Sequence, residues 1–85
     1  MVFVYVIESL KDQTWYTGIA LNAENRLVEH NNGKNRFTKG HRPWKIIYKE
    51  IQPDWVSARK REKYLKSAAG KIWLNKYLKQ NNDTV

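Results

Sequence analysis

The first strand-forming segment of this chain is apolar throughout, and it constrains the fold more than any other feature. Residues 2–7 read Val-Phe-Val-Tyr-Val-Ile, a continuous run of β-branched and aromatic side chains. A run of this length and composition is typical of a β-strand that is buried on both faces. The rest of the chain is therefore expected to cover this strand from two sides.

A second strand is predicted over residues 14–20. The polar segment 8–13 between the two strands predicts an antiparallel hairpin. Gly18 interrupts the second strand, and a glycine inside a strand often marks a bulge or a close approach of the backbone to another group.

Two tyrosines lie on the predicted hairpin. If the hairpin is centred near Leu10 and Lys11, Tyr5 and Tyr16 lie opposite each other. Two neighbouring phenols could orient a water molecule or accept its proton. They could equally form a cross-strand aromatic pair that only packs, and the hairpin pattern leaves both interpretations open.

The remaining elements follow from caps and breakers. Asn22 predicts the start of a helix over residues 23–31, and Gly33 predicts its end. A polar loop over residues 32–43 leads to a third strand over residues 44–51. Asp54 caps a second helix, residues 67–70 are expected to break it, and a third helix is predicted over residues 71–79. Its buried side is expected to consist of Trp73, Leu74, Tyr77 and Leu78.

The order β-β-α-β-α-α predicts an α+β fold, a small three-stranded antiparallel sheet flanked by helices. Eighty-five residues suffice for one small domain, expected over residues 1–80, with residues 81–85 as a frayed tail. The absence of cysteine excludes disulfides and thiolate metal sites, and it fits a reducing compartment such as the cytoplasm. No apolar run approaches the roughly 20 residues of a membrane helix, and the N-terminus does not resemble a signal peptide.

The charge of the chain predicts a polyanionic partner. The formal net charge is +8, because 16 lysine and arginine residues outnumber 8 acidic residues. Nucleic acid is the first candidate for such a partner, and a merely soluble basic protein is the alternative. Residues 59–79 hold eight of these cations against one acid. A second basic stretch, interleaved with Phe37, His41 and Trp44, comprises Lys34, Arg36, Lys39, Arg42 and Lys45.

One acidic residue stands on the apolar face of the second predicted helix. Trp55, Ala58 and Leu65 recur at helical spacing, and Glu62 falls between the first and the last of them. A carboxylate turned towards a core is costly unless it is paired or binds a cation. Glu62 is therefore expected either to bond a buried partner, such as Arg26 or a tyrosine hydroxyl, or to hold a metal ion. A single carboxylate suits Mg²⁺, which keeps several waters and takes further ligands from phosphates.

Arg26 and His30 are four residues apart and therefore share one face of the first helix with Ala23 and Leu27. Both polar side chains are expected at the margin of the core. Arginine can neutralise a phosphate in its transition state, and histidine can move a proton or bond a phosphate oxygen. The alternative is that both only extend past the core margin into solvent.

Taken together, the chain resembles the GIY-YIG nuclease superfamily, in particular its small single-domain bacterial members. The resemblance covers nearly the whole chain, and it depends on the order and spacing of the segments rather than on any one of them. The matching segments are, in order, Phe3-Val4-Tyr5, Tyr16-Thr17-Gly18, residues 25–31, Gly33-Lys34 with Phe37-Thr38, Pro43-Trp44-Lys45 and residues 61–66.

The resemblance implies the role of each candidate residue. Tyr5 and Tyr16 would position or deprotonate the attacking water, with the base not assigned between them. Arg26 would stabilise the pentacovalent phosphate, and His30 would assist with proton transfer or phosphate binding. Glu62 would hold a single divalent cation, Mg²⁺ or Mn²⁺.

The chain also departs from the family pattern. Phe3 replaces the glycine of the first motif, and Val4 and Thr17 replace isoleucines, although the motif tyrosines are kept. Gly18 would let the backbone approach the site. Asn75 only loosely matches a polar residue that some members use near the phosphate.

The sequence therefore predicts a divalent-metal-dependent endonuclease that hydrolyses DNA, including branched or single-stranded DNA, in repair or recombination. The second basic stretch and the outer faces of the last two helices would hold the DNA backbone, largely without regard to sequence. No membrane is involved, and a protein partner could supply targeting. The alternative is a non-catalytic nucleic-acid-binding module on the same fold.

Overall fold

The structure is a computed structural model, and it describes residues 1–82 of the chain. The predicted order β-β-α-β-α-α is confirmed, with one short 3-10 helix added in the loop before the third strand. The elements are β1 (Val2–Ser9), β2 (Trp15–Ala20), α1 (Ala23–Asn31), the 3-10 helix Thr38–His41, β3 (Trp44–Gln52), α2 (Trp55–Lys66) and α3 (Ala68–Asn82).

The three strands form one antiparallel sheet in the order β2-β1-β3. The apolar strand β1 is therefore central, and its neighbours form the two edges. Val4, Val6 and Ile7 are fully buried along it. The strand is buried on both faces because helices cover the sheet from two sides, as its unbroken apolar sequence predicts.

The first core lies between the sheet and the pair α2 and α3. Val2, Val4 and Val6 project from one face of β1 into this core, where they meet buried side chains of both helices. Strand alternation places these three residues on the same face. The helix residues in this core are Ala58, Leu65 and Leu74.

The second core lies on the opposite face of the sheet, under α1. Tyr5 and Ile7 of β1 pack there with Ala23 of α1 and with Trp44 at the start of β3. This core contains the first of the two predicted site tyrosines. The buried part of the candidate site therefore lies on the α1 side of the sheet.

The hairpin register differs by two residues from the predicted one. Tyr5 pairs with Gly18 and Tyr16 pairs with Ile7, so the prediction that the two tyrosines lie directly opposite each other is wrong. Side chains alternate with a period of two along a strand, and a shift of two residues therefore keeps both tyrosines on one face. They are diagonal neighbours on the α1 side of the sheet.

The turn explains this register. The backbone N–H of Ser9 donates to the carbonyl oxygen of Thr14 at 2.8 Å. The Ser9 hydroxyl oxygen accepts from the backbone N–H groups of Lys11 and Asp12 at 3.0 and 3.1 Å. These bonds close a loop over residues 10–13 and move its centre one residue beyond the predicted position.

Both predicted helix caps are confirmed. The Asn22 side chain accepts a hydrogen bond from the backbone N–H of Asn25 at 2.9 Å. The Asp54 carboxylate accepts from the backbone N–H of Ser57 at 2.8 Å. Gly33 follows α1 with a φ of 78°, a conformation that favours glycine at a helix end. The caps thus set the boundaries of α1 and the start of α2.

The break between α2 and α3 is a single residue, Ser67, rather than the predicted segment 67–70. The Ser67 hydroxyl accepts from the backbone N–H of Gly70 at 3.2 Å and so caps α3 directly. The helix continues at its other end to Asn82, two residues into the expected tail. Residues 83–85 of that tail lie outside the described residues.

The predicted apolar faces of the two helices are only partly buried. Trp55, expected in the core, is 48% exposed, and Tyr77 on α3 is also exposed. Leu65 and Leu74 are buried as expected, because they lie where the helices meet the sheet.

Within residues 1–82, no helix combines the length and the apolar character needed to cross a bilayer.

Gly70 allows α3 to pack against the end of α2. An added Cβ at Gly70 would overlap the carbonyl oxygen of Tyr64 and lie 2.7 Å from Cα of Leu65. Both are backbone atoms, so a clash can be relieved only by moving a helix. We expect Gly70→Ala to lower the free energy of unfolding by about 1–3 kcal/mol, despite the better helix propensity of alanine.

Urea denaturation of Gly70→Ala and Gly40→Ala measures this effect. Gly40 is the matched control, because an added Cβ there meets nothing within 4 Å. Its substitution should change stability by less than about 0.5 kcal/mol. Equal stability of the two variants would contradict the close packing of α3 on α2.

Candidate active site

Tyr5 lies at the centre of the candidate site, in the middle of the central strand. Its side chain is 1% exposed. Its ring lies against Gly18 of the neighbouring strand, where an added Cβ would be 2.5 Å from the Tyr5 hydroxyl oxygen. The close approach predicted at Gly18 is therefore made by the Tyr5 side chain, and the missing Cβ leaves the room that the phenol occupies.

A buried chain of hydrogen bonds starts at Tyr5. Its hydroxyl lies 3.0 Å from Nε2 of His30, and Nδ1 of His30 lies 2.7 Å from the hydroxyl of Thr38. A neutral imidazole donates through one nitrogen and accepts through the other, so both of its ring nitrogens are satisfied. The chain connects β1, α1 and the 3-10 helix. We call these three residues the Tyr5–His30–Thr38 chain.

His30 is fully buried rather than at the margin of the core, where it was expected. Tyr5 and Thr38 make this burial possible because they satisfy its two nitrogens. Burial lowers the pKa of His30, and the charge of Arg26 lowers it further. The imidazole is therefore neutral at pH 7.

The Tyr5 phenol is also neutral. Burial raises the pKa of Tyr5 far above its usual range, and the neighbouring Tyr16 adds to the increase. A phenol with such a pKa carries its proton at pH 7. Its hydroxyl can therefore both donate and accept hydrogen bonds within the second core.

Tyr16 is the more accessible of the two tyrosines. Its ring meets the edge of the His30 ring, with 5.1 Å between the ring centroids and an interplanar angle of 63°. It lines a cavity of about 300 Å³ together with Phe37 and Lys66. Within residues 1–82 its hydroxyl has no hydrogen-bond partner, so it can bond a ligand in that cavity without breaking an existing bond.

Arg26 extends from α1 into solvent at the end of β2. Its guanidinium forms an ion pair with Glu29 at 3.2 Å, in which both side chains are about half exposed. Arg26 lines a cavity of about 230 Å³ with Trp55 of α2. The positive charge of Arg26 lowers the pKa of Tyr5 and so offsets part of the increase that burial causes. Arg26 is thus exposed rather than held at the core margin, because its side chain pairs with Glu29 on the outer surface of α1.

Glu62 lies on the side of α2 that faces the site, and its side chain is 17% exposed. Its partner is Lys66, whose ammonium nitrogen lies 3.2 Å from a carboxylate oxygen. The expected buried partner is therefore replaced by an exposed lysine one turn later. Glu62 lines a cavity of about 540 Å³ rather than the interior of the core.

The three cavities are neighbours, because Lys66 lines the first and the second and Trp55 lines the first and the third. Their walls come from the edge strand β2, from α1 on one face of the sheet and from α2 on the other. The negative charge of Glu62 also contributes to the raised pKa of Tyr5. Tyr16, Arg26 and Glu62 thus each line one of three neighbouring cavities at the β2 edge of the sheet, whereas Tyr5 lies buried on the central strand.

The donor set at this edge fits only certain metal ions. Among residues 1–82 there is no group of three or more His, Cys, Asp and Glu side chains that could enclose a metal. The Glu62 carboxylate is partly exposed at the wall of a cavity that is also lined by lysines. Mg²⁺ and similar hard cations accept such sites, because waters and substrate phosphates supply the other ligands.

The predicted DNA-binding cations are all exposed on the loop after α1 and at the start of β3. Arg42 donates through Nε to the carbonyl oxygen of Lys39 at 2.9 Å, which orders the loop. Lys45 lies 3.8 Å from a carboxylate oxygen of Glu8. The exposed cations are Lys34, Arg36, Lys39, Arg42 and Lys45.

Asn75 is exposed on α3, one turn after Lys71, and it lines none of the three cavities.

The sequence reasoning missed Thr38 and Lys66 as site residues. Lys66 could have been found from its spacing, because it stands four residues after Glu62 on the same helix. Thr38 stands in one of the segments that resemble the family, but no local pattern predicts its contact with His30, which depends on how the loop folds over α1.

Comparison with known proteins shows the family of this chain. A sequence model of the GIY-YIG catalytic domain matches residues 1–78. A UPF0213 protein of Syntrophus aciditrophicus is 41% identical over 83 residues, covering 93% of this chain and 91% of the relative. A UPF0213 protein of Staphylococcus saprophyticus is 36% identical over 66 residues, covering 76% and 79%.

A solved structure shows the same fold. The solution NMR structure of a UPF0213 protein from Bacillus halodurans superposes with a TM-score of 0.55 at 30% sequence identity. The match covers 91% of this chain and 85% of that chain. The three-stranded antiparallel sheet with flanking helices is thus common to both proteins.

The Tyr5–His30–Thr38 chain predicts an unequal response to removing the two tyrosine hydroxyls. Tyr5→Phe leaves Nε2 of His30 buried without a partner, and we expect it to lower the free energy of unfolding by about 1–3 kcal/mol. Tyr16→Phe removes a hydroxyl that has no partner within the described residues and should change stability by less than about 0.5 kcal/mol. Urea denaturation measures both, and equal losses would contradict the hydrogen-bonded chain.

The lowered pKa of His30 predicts a loss of stability in mild acid. Unfolded histidine titrates near pH 6.5, whereas His30 in the folded protein resists protonation. As the pH falls below about 6.5, the unfolded state gains more protons and the free energy of unfolding decreases. Urea denaturation across this range should show a smaller decrease for His30→Gln. The control is His41→Gln, and an unchanged slope in His30→Gln would refute the prediction.

Proposed function

This chain belongs to the GIY-YIG catalytic domain family, and on that premise we propose that it is a divalent-metal-dependent endonuclease that hydrolyses DNA phosphodiester bonds. The family has a nuclease-type fold, and its members are typically endonucleases. The names of the relatives state no activity, so the proposal depends on the family and on the geometry of the site.

One observation carries the proposal. Tyr16, Arg26 and Glu62 each line one of three adjoining cavities beside the buried Tyr5, whose pKa all three affect. These side chains come from two strands and two helices. A phenol, a guanidinium and a carboxylate around one edge of a sheet are groups that phosphodiester hydrolysis uses. The burial of Tyr5 beside them supports a rigid site.

The two tyrosines have different roles in this proposal. Tyr16, whose hydroxyl is unpaired among the described residues and which lines a cavity, orients the attacking water; it first releases its own proton to solvent and then, as a phenolate, accepts the proton of the water. Tyr5 remains protonated, and because it is buried and lines none of the three cavities, it supports the site from within rather than touching the water or the phosphate. His30 does not contact the phosphate, because both of its nitrogens are engaged in the core. It holds the Tyr5 hydroxyl in place.

Arg26 and Glu62 supply the charges. The Arg26 guanidinium is half exposed, and its exposed ion pair with Glu29 is weak, so it is available to neutralise charge that develops on the phosphate. Glu62 is the residue that would hold Mg²⁺ or Mn²⁺. When bound, such an ion polarises a phosphate oxygen and lowers the pKa of a coordinated water.

The surface charge supports DNA as the substrate. The net charge of +8 and the exposed cations of the loop favour a polyanion, and lysines of α2 line the same cavity as Glu62. Contacts of this kind bind the backbone of DNA largely without regard to sequence, and salt weakens them. We further propose that the protein selects its DNA by structure and acts in DNA repair or recombination in the cytoplasm.

Cleavage of supercoiled, branched and single-stranded DNA with Mg²⁺ or Mn²⁺ tests the proposal. We expect Glu62→Ala to lower the cleavage rate at least about 100-fold, since it removes the only metal-binding carboxylate that we assign. Binding to DNA should be retained. The matched control is Glu24→Ala, because Glu24 is exposed and pairs with Lys49 on β3, the other edge strand.

Two outcomes would count against the proposal. Equal cleavage by wild type and Glu62→Ala would show that Glu62 does not hold the ion. The absence of cleavage by wild type, with salt-dependent DNA binding intact, would favour a non-catalytic nucleic-acid-binding module on the same fold.

A further inference from the structure

Phe37 is an exposed aromatic side chain in an otherwise polar and basic loop. It is 56% exposed, so it contributes little to either core. Its backbone is nevertheless held in place, because the Asn35 side chain accepts from the N–H groups of Phe37 and Thr38 at 2.9 and 3.1 Å. A single exposed apolar ring is ordinary on a protein surface, so the neighbours of Phe37 decide whether it has a role.

Phe37 lies directly beside the proposed site. Its ring centroid is 5.9 Å from that of Tyr16, with an interplanar angle of 30°, and 5.5 Å from that of His41. Tyr16 in turn contacts His30 of the buried hydrogen-bonded chain. A continuous row of rings therefore runs from the interior of the site out to Phe37.

Phe37 and Tyr16 are also two walls of the cavity of about 300 Å³. The other walls are largely apolar, with Trp15 and Leu65 among them, whereas Lys66 and Lys71 supply positive charge. A cavity with aromatic walls and ammonium groups matches a ligand that has a flat ring joined to a phosphate. A nucleotide has both parts.

We propose that this cavity binds an unpaired nucleotide, with its base stacked on Phe37 and its phosphate held by Lys66 and Lys71. The proposal deepens the proposed function by naming its substrate class, DNA that is single-stranded next to the cleaved bond. Bases inside a duplex are stacked on both faces and cannot offer one to Phe37. An unpaired base can, and stacking of one base on an aromatic side chain changes affinity by roughly tenfold.

The test is binding in EDTA, so that cleavage plays no part. Fluorescence anisotropy measures the affinity of wild type for three labelled ligands of equal length: an oligothymidine strand, a strand with abasic sites in place of thymidines, and a duplex. The variants are Phe37→Ala and Phe37→Trp. Ile51→Ala is the matched control, because Ile51 is a similarly exposed apolar residue on β3, at the other edge of the sheet.

We expect Phe37→Ala to weaken binding of the thymidine strand about tenfold, with little change for the abasic strand or the duplex. Phe37→Trp and Ile51→Ala should bind the thymidine strand like wild type. The proposal would be overturned if Phe37→Ala lost the same affinity for all three ligands, or if it lost affinity for none of them. Equal affinity of wild type for the thymidine and abasic strands would overturn it as well, and this result does not depend on how any variant folds.

This experiment separates the inference from the proposed nuclease activity. If wild type prefers the thymidine strand through Phe37 but cleaves no DNA with any metal, the nucleotide site stands and the nuclease proposal fails. If wild type cleaves DNA in a Glu62-dependent manner while Phe37→Ala binds all three ligands normally, the nuclease stands and the nucleotide site fails.

Discussion

The hydrogen bonds of the Tyr5–His30–Thr38 chain are the interactions on which the rest of the site depends. They join the central strand, α1 and the 3-10 helix across the second core. Three buried polar side chains are tolerated there because each has a partner. The same burial keeps Tyr5 protonated and His30 neutral. One set of contacts thus decides both the geometry of the site and the protonation of its central groups.

The edge position of β2 explains how residues far apart in the chain meet. The central strand is covered by α1 on one face and by α2 and α3 on the other, and residues of both α1 and α2 line the cavity at the end of β2. Arg26 reaches this edge from α1, and Glu62 reaches it from α2. The buried groups hold the site in shape, while the more accessible groups around the cavities are the ones that a substrate can touch.

Features set by local chemistry were predictable from the sequence. The caps Asn22 and Asp54 each bond a backbone N–H three residues ahead, which depends only on nearby atoms. The hairpin register was not predictable, because it depends on the hydroxyl of Ser9, which accepts two hydrogen bonds within the turn. Ser67 is similar, since one side-chain cap made the break between two helices shorter than its small residues indicated.

The sequence by itself determined the two-sided burial of β1, the order of the elements, the membership of the family and the basic character of the surface. Each of these follows from composition, periodicity or motif spacing. Only the tertiary structure decided that His30 is buried, that Trp55 is exposed and that Glu62 faces a cavity beside Lys66. The physical reason is that helical periodicity shows which side chains share a face of a helix, but not what packs against that face. Whether a side chain on that face meets core, solvent or a cavity depends on how far the neighbouring sheet extends beneath it.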